Sequence, residues 1–218
     1  MSKKLILLAG PTASGKSKLA LHLANKLRGE IINADSMQVY KEFLVLSSRP
    51  NIKDQKKIVH YLYGFVSVKK HFSTGEWLKL VKKKISSCNR KNKIPIIVGG
   101  TGLYFSSITK GISKIPDIDK KTRNKVRSLY KKLGNKEFYN ELLKIDPKVK
   151  KRILPSDSQR AQRAFEVFVK TKKSFFDWIM NTKSDFEDYN IRKIFIDIPR
   201  EELLKKIELR TEIMFKNN

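Results

Sequence analysis

Gly10-Pro11-Thr12-Ala13-Ser14-Gly15-Lys16-Ser17 fits the pattern G-x-x-x-x-G-K-[ST], with an apolar run, Leu5 to Ala9, leading in and a helix-patterned stretch leading out. In that stretch, Ser17 to Leu27, residues Leu19, Ala20, Leu23, Ala24 and Leu27 recur at helical spacing. Strand, glycine-rich turn and helix in that order form a phosphate cradle, because the backbone N–H groups of the turn point at an anion resting on the helix N-terminus. Lys16 adds a point charge and Ser17 a hydroxyl suited to a divalent metal. A tight turn without a ligand is the alternative, and the flanking strand and helix weigh against it.

Outward from this loop, three further apolar runs read as core strands: Glu30 to Ala34, Ile94 to Val98 and Lys193 to Ile198. Each ends in a polar or glycine-rich turn, respectively Asp35-Ser36, Gly99-Gly100-Thr101-Gly102 and Pro199. Continuous apolar strands separated by helical stretches predict an α/β fold, a phosphate-loop parallel sheet flanked by helices. Ligands of such sheets bind beyond the carboxyl ends of the strands, so the turns are expected to converge on one site.

From Gly111 to about Asn190 strand signals vanish, which predicts an inserted all-helical subdomain and a division into residues 1–112, 113–190 and 191–218. Ile118, Thr122, Val126, Leu129 and Leu133 form one helical face, and Phe138, Leu142 and Ile145 another that should stop before Pro147. A third helix is predicted to open on a capping box of Ser156 and Gln159. It puts Ala161, Ala164, Phe165 and Phe168 on one side and Gln159, Arg160 and Arg163 on the other. That polar trio suits phosphate contact, and equally a solvated face. A last helix, Arg200 to about Phe215, has Leu203, Leu204, Ile207, Met214 and Phe215 as its apolar stripe, with Arg210 on the same side. An inward arginine requires a partner, either a bound anion or a structural salt bridge.

Lys and Arg total 48 against 21 acidic residues, a net charge of +27 and a pI near 10.1. A field of that sign concentrates polyanions and favours nucleic acid as a partner. The excess is carried by 37 lysines against 11 arginines, which compositional bias alone would also produce. With 40% hydrophobic residues the chain has material for one core and a small second lobe. No apolar run approaches a membrane span, and Met1-Ser2-Lys3-Lys4 leads directly into a strand, so a cytoplasmic protein is expected. Cys88, the one cysteine, falls in a predicted helix from Glu76 to Arg90; it excludes an internal disulfide and suggests ordinary packing.

Three further stretches narrow the chemistry. Ala34-Asp35-Ser36-Met37-Gln38-Val39-Tyr40, Val98-Gly99-Gly100-Thr101-Gly102-Leu103-Tyr104, and Asp146-Pro147 followed by Pro155-Ser156-Asp157-Ser158-Gln159-Arg160-Ala161-Gln162-Arg163-Ala164-Phe165-Glu166-Val167 closely resemble the bacterial tRNA dimethylallyltransferases. The resemblance runs in order from Leu5 onward. It implies transfer of a dimethylallyl group from dimethylallyl diphosphate to N6 of the adenosine 3′ of a tRNA anticodon. It further implies that Gly10, Pro11, Thr12, Ala13, Ser14, Gly15, Lys16 and Ser17 hold the diphosphate, with Mg²⁺ near Ser17 and Arg210 on the same group. By the same resemblance Asp35 is the general base, with Lys16 and Arg210 stabilising the departing charge. Asp35, Ser36, Met37 and Gln38, Thr101, Arg123, and Gln159, Arg160, Ala161, Gln162 and Arg163 match its tRNA-contacting positions. The chain is expected to act as a monomer.

Departures are visible too. Leu44-Val45-Leu46-Ser47-Ser48-Arg49-Pro50 stands where the family usually has Asp-Ile-Gly-Thr-Ala-Lys-Pro, and Ser17 replaces a threonine. The chain ends at Asn218, where family members continue for several helices, so a shortened version is expected. Two other readings remain: a small-molecule or nucleotide kinase built on the same loop, and a non-catalytic RNA-binding remnant.

Overall fold

The computed structural model describes residues 3–180 and 182–216. Five parallel strands form one sheet: β1 (Lys3–Ala9), β2 (Gly29–Asn33), β3 (His60–Tyr61), β4 (Ile94–Gly99) and β5 (Tyr189–Phe195), in the order β3-β2-β4-β1-β5. Ile6 and Ile31 both register with Ile96, and Leu8 registers with Val98. Leu5, Ile6, Leu7 and Leu8 are all buried in succession, as a strand covered on both faces requires.

Eight helices accompany the strands among the described residues: α1 (Lys16–Leu27), α2 (Ile52–Lys57), α3 (Thr74–Arg90), α4 (Gly102–Thr109), α5 (Lys120–Ile145), α6 (Ser158–Thr171), α7 (Phe175–Met180) and α8 (Arg200–Lys216). The chain divides into two compact units, one running to Thr109 and resuming at Ser184, the other Lys110–Lys183. The return therefore comes earlier than the predicted boundary at 190. Ser184 Oγ donates to Ile108 O and Phe186 is buried, so this stretch belongs to the sheet-bearing unit.

The last strand lies earlier than Lys193 to Ile198. β5 runs alongside all of β1, Lys3 opposite Tyr189 through Ala9 opposite Phe195. As an edge strand it exposes Asn190, Arg192 and Lys193, so its polar half has no apolar signature. Cys88 is fully buried on α3 and its Sγ donates to Glu30 Oε2 at 3.3 Å. Burial, then the Glu30 contact, pushes this thiol up to about 12. It is therefore a packing residue rather than a reactive one.

In the helical unit, Gly134 breaks α5 with φ +73°, which separates the two predicted faces. The second half ends at Ile145, ahead of a 3₁₀ turn, Pro147–Lys151. Val126, Phe138, Leu142, Val149, Ala161, Ala164 and Phe165 build the core. α6 does not open on the Ser156–Gln159 box. Asp157 is the N-cap, its Oδ1 accepting from Arg160 N–H at 3.1 Å, because a carboxylate is the stronger acceptor at the positive end of a helix. A reciprocal box does occur at the start of α3, between Ser73 and Glu76. On α8 the predicted apolar stripe is only partly covered: Leu203, Ile207 and Met214 are half-buried, but Leu204 is 49% and Phe215 81% exposed.

Candidate active site

The loop after β1 is wound tightly enough to need φ of +62° at Ala13 and +82° at Gly15. Gly10 is fixed by packing: a Cβ there would lie 2.8 Å from Ser14 Oγ and 3.2 Å from Ile196 Cβ. Gly15 caps α1 without any side-chain hydrogen bond, so the first N–H groups of α1 have no capping oxygen. Ser14 Oγ is buried and has no partner among the described residues. An uncapped helix N-terminus and an orphaned hydroxyl in one loop form an anion site.

Lys16 Nζ donates to Pro11 O at 2.9 Å, which holds the ammonium over the loop. Burial lowers its pKa from 10.5; the Asp35 carboxylate opposes that shift and the Arg210 guanidinium adds to it. Arg210 is half-buried on α8, lowered by burial, and also feels Asp35. Among the described residues it has no salt-bridge partner. The three charges named from the sequence thus share one electrostatic neighbourhood in the sheet-bearing unit.

An anion bound in the loop would offset the cost of burying the Lys16 ammonium. Between the lowered pKa and 10.5, free Lys16 is increasingly neutral while bound Lys16 is charged, so binding takes up a proton there and affinity falls as pH rises. Calorimetric titration of inorganic diphosphate at alkaline pH, in two buffers of different ionisation heat, is expected to show this uptake. The same titration of Lys16→Ala is expected to lack it; equal uptake in both would remove Lys16 from the site.

Asp35 follows β2 at its carboxyl end, and Asp35 Oδ1 accepts from Met37 N–H at 2.9 Å. The turn after β4 closes against it: Thr101 N–H donates to Ala34 O at 3.1 Å and Ser36 N–H to Thr101 Oγ1 at 2.9 Å. Gly99 permits this contact, since a Cβ would fall 2.1 Å from Ala34 C and O and 2.7 Å from Asp35 N. Tyr63 and Tyr104 both carry phenols raised by burial and by the Asp35 charge, Tyr104 to about 12. They remain neutral at physiological pH.

Gln38 has a structural duty here: its Nε2 donates to Ser47 O at 2.7 Å and Ser48 O at 3.3 Å, holding the divergent loop of Leu44 to Pro50. Met37 is exposed, while Ser36 and Thr101 are half-buried. The remaining named residues lie in the helical unit. Arg123, Gln159 and Arg160 are exposed, Gln162 and Arg163 half-buried. Arg163 Nη1 lies 3.4 Å from the buried Glu166 Oε2. Ala161 is only 1% exposed, so its methyl serves the core and does not present a contact surface. Asn33, Trp77 and Tyr63 do not stand out in the sequence; the structure shows Asn33 as a fully buried polar residue two positions before Asp35.

Residues 38–218 match the family described as IPP transferase. The chain is 55% identical over 214 residues to the tRNA dimethylallyltransferase of Pelagibacter ubique, covering 98% of this chain and 68% of that protein. It is 42% identical over 215 residues to the tRNA dimethylallyltransferase of Rickettsia massiliae, covering 98% of this chain and 59% of that one. The fold superposes on a eukaryotic dimethylallyltransferase acting on tRNA with a TM-score of 0.87 at 28% identity, over all of this chain and 54% of the other. This chain thus spans about three fifths to two thirds of the length of these curated relatives.

Proposed function

Because this chain belongs to the IPP transferase family, we propose that it transfers a dimethylallyl group from dimethylallyl diphosphate to N6 of the adenosine 3′ of a tRNA anticodon. The observation that carries the reading is the shared neighbourhood of Lys16, Asp35 and Arg210 beyond the strand ends. The adenine N6 lone pair attacks C1 of the allyl group as the C1–O bond breaks. Asp35 accepts the N6 proton, and the diphosphate leaves with its electron pair toward the loop N–H groups, Lys16 and Arg210.

A divalent ion fits the donor set only through the substrate. No group of three or more His, Cys, Asp or Glu side chains able to hold a metal exists among the described residues. The exposed Ser17 hydroxyl, diphosphate oxygens and water together suit Mg²⁺, which keeps several of its waters. Bound there, the ion would neutralise leaving-group charge. The reading also includes a cytoplasmic monomer.

Labelled dimethylallyl diphosphate, Mg²⁺ and unmodified tRNA incubated with the protein should yield labelled tRNA. Hydrolysis of ATP with no transfer would replace this reading with the kinase one. For the helical unit the proposal assigns RNA contact to Gln159, Arg160 and Arg163, whose helix packs through its other side. Changing Arg160 and Arg163 together to Ala should weaken tRNA binding and flatten its salt dependence, by about one unit of slope for each phosphate no longer neutralised. Because Arg163 also neutralises Glu166, Arg160→Ala alone is measured beside it. Filter binding across a salt series that leaves both variants at wild-type affinity would reduce the trio to a solvated face.

A further inference from the structure

Asn33 closes β2 two residues before Asp35 and is fully buried. The ladder ends there, with Asn33 registered opposite Val98. Ala34 is still held, its N–H donating to Val98 O at 2.7 Å and its carbonyl accepting from Thr101 N–H. Beyond it the Asp35 backbone has no strand to pair with, and the Asn33 side chain takes that place.

Asp35 N–H donates to Asn33 Oδ1 at 2.8 Å, while Asn33 Nδ2 donates to Asp35 O at 2.9 Å and to Leu62 O at 3.0 Å. The Asn33 main-chain carbonyl in turn accepts from the indole N–H of Trp77 at 2.8 Å, and Trp77 stacks on Tyr104 with centroids 4.1 Å apart. One acceptor and two donors on a single plane are what a carboxamide offers; an aspartate has no donors and a serine only one. With its backbone clamped and Oδ1 held by Met37 N–H, Asp35 keeps Oδ2 without a partner among the described residues.

We propose that Asn33 is a positioning residue for the transfer reaction: its carboxamide fixes the Asp35 backbone and, through it, the carboxylate that meets the substrate amine. The proposal rests on the reading of Asp35 as the base. Asn33→Ala should lower kcat about 10- to 100-fold with KM for dimethylallyl diphosphate within about twofold, as expected of a displaced reacting group. Asn33→Ser, which keeps an acceptor and is the milder change if the alanine variant folds poorly, should fall between. Added to Asp35→Asn, either change should slow the residual rate by less than about threefold, because both losses run through one group. Losses that multiply in the double variant would overturn the positioning role and leave the base reading intact, whereas a wild-type rate in Asp35→Asn alone would remove the base itself. A readout independent of turnover is amide exchange. The Asp35 N–H should exchange at least about tenfold faster in Asn33→Ala while Ile6 and Ile97 in the central strands are unchanged; undiminished protection at Asp35 would overturn the proposal.

Discussion

Asp35→Asn is expected to slow dimethylallyl transfer by about 10²- to 10⁴-fold, the range set by loss of a general base. The change is isosteric and its structural cost is small. An asparagine Oδ1 still accepts from Met37 N–H, and the Asn33 contacts go to the Asp35 backbone, which the substitution leaves in place. The electrostatics move the other way. Asp35 supplies the negative charge that Lys16 and Arg210 feel, so neutralising it leaves the two cations more available to an anion. Diphosphate affinity should therefore hold or rise while the rate falls. A misfolded variant would lose both, so the pairing of slow single-turnover transfer with undiminished calorimetric affinity identifies a missing proton acceptor. Transfer at the wild-type rate would take Asp35 out of the mechanism.

The elements that build this neighbourhood are legible because they are local. Leu5 to Ala9, Ile94 to Val98 and the glycine turns that follow them signal a parallel sheet within a few residues each, and the structure bears out the α/β fold. Arg210 stands out as a cation on an apolar stripe. What stays hidden depends on distant partners or on too few residues. β3 is two residues long and α2 six, below any periodicity. The polar half of β5 pairs at a sheet edge, where solvent removes the apolar signature. Asn33 reads as an ordinary strand residue because Leu62 and Trp77, which define its role, lie 29 and 44 positions away. The capping box expected at Ser156 has the opposite fault: its spacing is right, but the helix starts one residue later, where the Asp157 carboxylate caps it by accepting from Arg160 N–H.

Phe138→Ala carries the second large effect and tests whether the two compact units work separately. Phe138 is fully buried in the helical unit, 5.0 Å from the ring of Phe165 and 5.3 Å edge-on from Tyr130. Removing a buried phenylalanine costs about 3–5 kcal/mol. A unit the size of Lys110–Lys183 has a total stability of roughly 4–11 kcal/mol, so much of it would be lost. α6 meets this ring through Phe165 and shares its core through Ala161 and Ala164, and without that support Gln159, Arg160 and Arg163 are no longer held in one arc. tRNA affinity should drop steeply. Lys16, Asp35 and Arg210 belong to the other unit, so diphosphate titration should be nearly unchanged. Urea unfolding should show an early transition in the variant, and Phe138→Leu, which refills most of the space, should restore both that transition and tRNA binding. If diphosphate affinity collapses together with tRNA affinity, the units unfold as one cooperative body, and the division of labour between an anion-binding sheet and an RNA-binding helical insert fails.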